Sequence, residues 1–265
     1  MPGTGTTART TDADGRDVFT KTLAGAPPLF FEREAVGLRA LAAAGARVPE
    51  VLDVAADHLT LAWVETGHGR TAQTEERFGQ ELAELHRSTA QESRGAPYGS
   101  VDGEATGYLG ACPVDLTPTA TWQESWVERR VVPLARRAVD EGQLDRATAA
   151  LAEQITPDRL GPAEPPTLVH GDLWGGNRMV DTRGRNWMVD PCAHLGHREV
   201  DLAMMQLFGG FSGRVFAAYA EVHPLADGWR ERVAVYQTVP LLVHAILFGG
   251  GYGVQAGEAL REATR

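Results

Sequence analysis

Short stretches in which apolar and polar residues alternate mark the first part of the chain. Asp17–Thr22 alternates in this way, and the Asp14-Gly15 pair before it is typical of a hairpin turn. The pattern predicts an antiparallel sheet whose strands are Thr6–Thr11, Asp17–Thr22, Val48–Val54 and His58–Val64.

Between the second and third predicted strands the period changes to that of a helix. Apolar residues recur every three or four positions, so they share one helical face, and Gly45 follows as a C-terminal cap. The pattern predicts a helix over Leu29–Ala44. Its buried face is expected to hold Phe31, Ala35, Leu38 and Leu41 or Ala42.

The rest of the chain has mainly helical patterns. The crossing segment Glu65–Gly69 is the expected boundary, so residues 1–65 should form a small sheet lobe and residues 66–265 a larger helical lobe, an α+β architecture. Helices are predicted from Thr74, from Thr121, and over Leu144–Ile155, Arg198–Phe208 and Gly228–Phe248, with a strand hairpin of Arg178–Val180 and Asn186–Val189.

Composition narrows the class of protein. The chain has 265 residues, 43% of them hydrophobic, with no apolar run of membrane-spanning length and no signal-peptide pattern, so we expect a cytoplasmic protein. A formal net charge of -10 argues against nucleic-acid and anionic-membrane partners and suits a substrate that carries an amine. Cys112 and Cys192 are too few for a disulfide framework. Nothing indicates an oligomer, so a monomer is the default expectation.

The segment His170–Asn177 carries the candidate chemistry. Its pattern, H-x-D-x-x-x-x-N followed by a separate Asp190 after a short hairpin, fits a phosphoryl-transfer site. Asp172 would accept the proton of the attacking hydroxyl, and Asn177 and Asp190 would hold Mg²⁺ on the phosphates of ATP. His170 is expected to brace the loop by hydrogen bonds. The alternative is an ordinary turn rich in Gly, Asn and Asp.

Lys21 is the only lysine among 25 basic residues. An ammonium group can reach between phosphates where a planar guanidinium is too wide, so Lys21 is the predicted phosphate contact. Glu34 lies at the edge of the buried helix face and is its predicted ion-pair partner. The alternatives are a solvated lysine and a Glu34 paired with Arg33 or Arg39.

Other candidate residues would complete a nucleotide and acceptor site. The main chain of Trp63 and Val64 is expected to bond the adenine, and Trp174 to offer an apolar face to a substrate ring. Gly3-x-Gly5 is a poor match to a glycine-rich phosphate cover. His194 and His197 lack a clear third ligand, which argues against zinc.

The acceptor is expected to be a small molecule. Pro191-Cys192 follows Asp190 in place of Phe-Gly, and the next predicted helix begins after only a few residues. The chain therefore lacks the long activation segment that a protein substrate requires.

These motifs together resemble the fructosamine (ketosamine) kinase family. The resemblance implies a two-lobed protein-kinase-like fold, with a small antiparallel-sheet N-lobe and a larger, mainly helical C-lobe, and ATP-dependent phosphorylation of the C3 hydroxyl of a fructosamine or ribulosamine. The phosphorylated adduct would shed its sugar, which frees the amine. His197, Glu199 and Asp201 would lie in or behind the sugar site. The segments that carry the resemblance are His170–Asn177, Val189–Pro191, Gly196–Met204, Leu207–Phe211, Phe216–Tyr219, Pro224-Leu225 and Leu242–Tyr252.

The chain departs from that family at its N-terminus, where members have a further strand and a glycine-rich loop before the lysine strand. About twenty residues precede Lys21, so either the start lies upstream or the lobe is pared down. The alternatives to a ketosamine kinase are a related aminoglycoside or amino-alcohol kinase and a catalytically weak nucleotide-binding protein.

Overall fold

A computed structural model describes residues 5–67 and 69–265, so Gly3 of the possible phosphate cover lies outside the described residues. The first layer is an antiparallel sheet with the strand order β1-β2-β4-β3. All four predicted strands are confirmed, although β3 begins and β4 ends inside the expected ranges. The strands are β1 Thr6–Thr11, β2 Asp17–Thr22, β3 Val51–Val54 and β4 His58–Ala62.

Helix α1, Phe30–Ala43, packs against this sheet and confirms the helix predicted there. The main-chain N–H of Gly45, at φ 88°, donates to the Ala42 carbonyl, as expected of a C-terminal cap. Glu34 on α1 lies within hydrogen-bond distance of Lys21 on β2. The predicted buried face is confirmed, with Gly37 added to Phe31, Ala35, Leu38 and Leu41.

Helix α2, Ala72–Glu92, starts before the predicted Thr74 because Thr71 is the capping residue. The Thr74 N–H donates to Thr71 Oγ1 at 3.2 Å, and the Thr71 N–H donates to Thr74 Oγ1 at 2.9 Å. This reciprocal pair satisfies two otherwise free helix donors. The predicted inner face is confirmed, since Phe78, Leu82 and Leu85 are buried.

A strand hairpin that the sequence analysis missed follows α2. Strands β5, Thr106–Leu109, and β6, Cys112–Asp115, meet at a turn that contains Gly110. The Tyr108 hydroxyl donates to the Pro28 carbonyl at 2.9 Å, and its ring packs edge-on against Phe30 at 5.1 Å. The hairpin is thereby fixed against the start of α1.

Two predicted helices have irregular geometry. The helix predicted from Thr121 has a π-helical stretch, Glu124–Val131, which passes into α3, Val132–Asp140, at Pro133, where the missing N–H interrupts the regular bonding pattern. The helix predicted over Leu144–Ile155 is a single turn, α4 Arg146–Ala149, followed by a 3₁₀ segment, Ala150–Gln154.

Four short strands frame the candidate chemistry. Strand β7, Thr167–Val169, pairs with β10, His194–Gly196, and β8, Arg178–Val180, pairs with β9, Asn186–Met188. The second pair confirms the predicted hairpin. Since the segment 170–177 joins β7 to β8, and Asp190 lies between β9 and β10, the two motifs emerge side by side.

The remaining helices enclose the C-terminal core. Helices α5 Glu199–Leu207 and α7 Val233–Phe248 confirm two predictions in slightly shorter form, whereas α6 Gly213–Val222 and α8 Tyr252–Ala263 were not predicted. One hydrophobic cluster joins α1 and the sheet to α2, α5 and α6, and a second joins the π-helical stretch, α3, α7 and α8.

None of the helices in the described part of the chain combines the length and apolar character needed to span a bilayer.

Candidate active site

Three charged side chains from distant parts of the chain meet at one point. Lys21 Nζ donates to Glu34 Oε1 at 2.6 Å and to Asp190 Oδ1 at 2.7 Å. The predicted Lys21–Glu34 ion pair is therefore present, and the alternative pairing of Glu34 with a neighbouring arginine is excluded. Burial lowers the pKa of Lys21, but the two carboxylates outweigh it, so the net shift is upward and the lysine stays charged.

Asp172 and Asn177 lie together at the other side of this cluster. The Asn177 side-chain amide donates to the Asp172 carbonyl at 2.8 Å and to Asp172 Oδ2 at 3.2 Å. Among the described residues no group donates to the amide oxygen of Asn177, so that oxygen can act as a ligand. The 3₁₀ turn Gly175–Asn177 places Asn177 beside Asp172.

Burial and the nearby Asp190 charge raise the pKa of Asp172 well above its usual range. A carboxylate with a raised pKa is a stronger base than one in water, and the hydrogen bond from Asn177 opposes only part of the shift. Asp172 thus has the electrostatic setting that general-base chemistry requires.

His170 braces the loop, as the sequence predicted. Its Nε2–H donates to the Val189 carbonyl at 2.9 Å, and its Nδ1 accepts from the Asp172 N–H at 3.2 Å. Both ring nitrogens are therefore occupied, and complete burial lowers the pKa of His170, which keeps the ring neutral. This residue ties the segment that bears Asp172 to the one that bears Asp190.

Asp201 holds the same loop from behind. Its carboxylate accepts from the N–H groups of His170 and Gly171, both at 2.8 Å, and from His86 Nε2 at 3.2 Å. Burial acts to raise the pKa of Asp201, but these bonds and the nearby histidines lower it overall.

Gly171, at φ 79°, could not be replaced, because a Cβ there would overlap the Cys192 carbonyl oxygen.

Most of the candidate residues line one cavity of about 290 Å³. Lys21 and Glu34 line it from the side of the sheet and α1, and Asp172 and Asn177 line it from the loop. Trp174 lies at its edge, 39% exposed, as expected of a ring that could stack on a substrate. The remaining lining residues are Phe30, Arg33, Gly107, Tyr108, Gly110, Leu116, Asp190, Pro191, Cys192 and Ala193.

His197, Glu199 and Asp201, which were expected in or behind the sugar site, do not line the cavity. His197 is buried and stacked on Tyr236 at 5.4 Å, and burial lowers its pKa. The Glu199 carboxylate is fully engaged by Arg232, at 2.6 and 2.8 Å. The three side chains are buried away from the cavity, so of the two positions expected for them, in or behind the sugar site, only the one behind it remains a prediction.

The predicted adenine-binding residues also lie outside that cavity. The Trp63 N–H already donates to the Asp17 carbonyl at 3.2 Å, and Arg9 stacks over the Trp63 ring at 4.5 Å. Within residues 5–67 and 69–265, neither main-chain polar group of Val64 has a hydrogen-bond partner. Among the described residues, both main-chain groups of Val64 and the carbonyl of Trp63 are thus available.

Sequence reasoning missed the wall of the cavity formed by the β5–β6 hairpin and Arg33. Arg33 makes a bidentate pair with Asp102, at 2.7 and 2.9 Å, across a sequence separation that no local pattern reveals. The hairpin itself had a usable signal, because Gly110 and Pro113 interrupt a short run of apolar residues. Only its attachment to α1 through Tyr108 depends on the tertiary structure.

This combination of sheet, helix and loop has counterparts among known proteins. The model of the family described as fructosamine kinase matches residues 3–265. A probable ketoamine kinase from Thermus thermophilus is 37% identical over 233 residues, which are 88% of this chain and 82% of that protein. The crystal structure of a putative fructosamine-3-kinase from Thermobifida fusca is 38% identical with a TM-score of 0.85, and the match covers 97% of this chain and 93% of that one.

More distant structures share the fold alone. A choline/ethanolamine kinase family protein from Mesorhizobium loti is 16% identical with a TM-score of 0.58 over 98% of this chain and 87% of its own. The fold is therefore protein-kinase-like, built here from small antiparallel-sheet elements and many helices. Within this class, the chain belongs to the fructosamine kinase family.

Proposed function

We propose that this protein is an ATP-dependent kinase that phosphorylates the C3 hydroxyl of a ketosamine, a fructosamine or a ribulosamine, and so leads to deglycation. The convergence of Lys21, Glu34, Asp190, Asp172 and Asn177 on one cavity carries the proposal. Family membership and the ketoamine kinase and fructosamine-3-kinase names of its relatives support the choice of acceptor.

The residues present fit a magnesium ion and a nucleotide. Magnesium prefers oxygen ligands and is commonly held by one or two carboxylates together with substrate phosphates rather than by a protein cage. Asp190 is half exposed, with one carboxylate oxygen bonded to Lys21, and Asn177 keeps its amide oxygen free. In the described part of the chain, no three His, Cys, Asp or Glu side chains are grouped so that they alone could hold a metal ion.

In this mechanism Asn177 and Asp190 would hold the metal, and Lys21 would contact a phosphate. Bound Mg·ATP would supply the phosphoryl group, and its magnesium ion would offset the negative charge of the phosphate oxygens. Glu34 keeps the lysine extended toward the cavity. Asp172 accepts the proton of the acceptor hydroxyl, and its raised pKa favours that transfer. The adenine would bond the main chain near Trp63 and Val64, chiefly that of Val64.

We further propose that residues 1–65 act as the nucleotide lobe and residues 66–265 as the catalytic and substrate lobe, because β1–β4 and α1 precede the crossing segment and the catalytic loop follows it. The working unit would be a monomer. The compartment would be the cytoplasm, where both cysteines, which are free, would remain reduced.

Incubation of the full chain with ATP, Mg²⁺ and a panel of fructosamines and ribulosamines tests the proposal. We expect ADP release together with a phosphate on C3, located by NMR. Aminoglycosides and amino alcohols belong in the same panel, since turnover of those acceptors alone would identify the related phosphotransferase instead. A rise in melting temperature with Mg·ATP but no turnover of any acceptor would indicate a nucleotide-binding protein without kinase activity.

A further inference from the structure

Five aromatic side chains form a continuous surface that starts at the cavity and continues outward along the ends of α7 and α8. We call this surface the aromatic row; its members are Trp174, Phe208, His244, Phe248 and Tyr252. Ring centroids are 6.2 Å apart between Trp174 and Phe208, 4.8 Å between Phe208 and His244, and 5.4 Å between His244 and Phe248. Tyr252 completes it at 5.0 Å from His244.

Three members of the aromatic row are exposed to solvent. Trp174 is 39%, Phe208 37% and Phe248 67% exposed. Among the described residues only Leu29 and Val254 are other large apolar side chains with comparable exposure. Exposed apolar groups that cluster, rather than scatter singly, are a mark of a binding surface.

The row is mainly apolar, and its polar atoms are the Trp174 indole N–H, the His244 ring nitrogens and the Tyr252 hydroxyl. His244 Nδ1 donates to the Pro240 carbonyl at 2.7 Å, and burial lowers the pKa of His244, so its ring is neutral. Phe248 is the last residue of α7, and the buried core contacts of that helix come from other positions. Its ring is therefore dispensable for packing.

The row is continuous with the cavity through Trp174, which belongs to both. A sugar whose hydroxyl reaches Asp172 would direct its amine substituent out of the cavity past Trp174. The acceptor hydroxyl must lie beside Asp172 to give up its proton, so the sugar occupies the cavity and the substituent is left to the rings that adjoin Trp174.

We propose that the aromatic row binds the amine substituent of the acceptor, and that the preferred ketosamines carry an aryl or arylalkyl group on nitrogen. This inference rests on the proposed function. Stacking on two or three rings would stabilise such a substituent, whereas a methyl group or a polar chain would leave the aromatic rings exposed to water.

Two fructosamines with the same sugar test the proposal, one made from methylamine and one from 4-phenylbutylamine, whose longer chain carries its ring further along the row. In the unchanged protein the phenylbutylamine derivative is expected to have a KM about three- to tenfold lower, the range that one or two aromatic contacts supply. Phe248→Ala should raise the KM of the phenylbutylamine derivative about threefold or more and leave the methylamine derivative within about twofold. Phe248→Tyr, which keeps a ring, should retain the preference.

Val254→Ala is the matched control. Val254 is 65% exposed on α8 but lies about 200° around that helix from Tyr252, away from the row. It should change neither KM. Equal KM values for the two fructosamines, or an equal effect of Phe248→Ala on both, would overturn the aromatic row as a substrate surface while the kinase function stands. A preference for fructosyl derivatives of polar peptides would overturn it as well. Absence of turnover with either fructosamine would remove the proposed function and this inference together.

Discussion

At the scale of single residues, the site depends on one ammonium group placed between two carboxylates. Lys21 on β2 bonds both Glu34 on α1 and Asp190 in the segment after β9. The ammonium group therefore holds the two carboxylates close together. Asp190 has a positive φ of 57°, a conformation that Asp tolerates better than most residues. The chain therefore accepts local backbone strain where it aims this carboxylate at the cavity.

Asp172→Asn should remove the proposed general base without disturbing the loop, because Asn is isosteric and its side chain can still bond Asn177. We expect kcat for phosphorylation to fall about 10²- to 10⁴-fold. Mg·ATP should still raise the melting temperature, since the metal and phosphate contacts remain. Asp227→Asn, a change of the same kind at an exposed aspartate, should leave kcat unchanged. An Asp172→Asn variant with more than a tenth of normal kcat would exclude Asp172 as the base.

At the scale of elements, the contact between α2 and α6 supports the catalytic loop. The Tyr219 hydroxyl on α6 donates to His86 Nδ1 on α2 at 2.9 Å, and His86 in turn bonds the Asp201 carboxylate that holds the loop. The helices can approach so closely because α2 carries Gly79 at the crossing. A Cβ there would overlap the Val215 carbonyl oxygen and lie 3.0 Å from the Tyr219 nitrogen.

Gly79→Ala should lower the free energy of unfolding by about 1–3 kcal/mol, because the obstructing atoms belong to the main chain and cannot rotate away. Urea denaturation measures the change. Gly213→Ala at the start of α6 is the control, since nothing lies within 4 Å of a Cβ at that position. Alanine is the better helix former by about 1 kcal/mol, so the control should be neutral or slightly stabilised. Equal stability of the two variants would show that α2 and α6 adjust freely.

At the scale of the whole molecule, several histidines are held neutral by the fold: His170, His194 and His197 are buried, and His223 is half-buried. Burial lowers the pKa of His170, His194, His197 and His223, to about 3 for His194 and about 4 for His223. Arg130 contributes to the low pKa of His194, because its guanidinium donates to His194 Nε2 at 2.8 Å. The fold thus excludes a positive charge on these rings.

Acid should therefore destabilise the protein from about pH 6.5 downward, the pKa of an unfolded histidine. Below that pH the unfolded chain binds protons that the folded chain does not, so the free energy of unfolding falls as pH decreases. Urea titrations between pH 7.5 and 4.5 should show this slope, and His194→Gln should reduce it. His58→Gln is a control with the opposite expected effect on the slope. Asp53 and Asp57 raise the pKa of His58. The free energy of unfolding that His58 contributes is therefore present at low pH and lost as pH rises through that raised pKa. A slope unaffected by His194→Gln would contradict this account.

Local chemistry made much of the fold predictable. The four strands, α1 with its buried face, the hairpin Arg178–Val180 with Asn186–Met188, α5 and α7 follow from period, caps and turns that nearby residues impose. The errors occur where distant contacts dominate. Helices α6 and α8 were missed, and the predicted helix over 144–155 is one α-helical turn followed by a 3₁₀ segment, because tertiary packing outweighs weak local preference.

The sequence by itself determined the spacing of the groups proposed to transfer a phosphoryl group, because the positions of Asp172, Asn177, Asp190 and the single Lys21 are fixed by covalent order. Only the tertiary structure decided which side chains face the cavity. It buried Glu199 and Asp201 behind the loop, brought the β5–β6 hairpin and Arg33 to the wall, and aligned the aromatic row. These placements arise from contacts between residues far apart in the chain, and such contacts leave no periodic trace in the sequence.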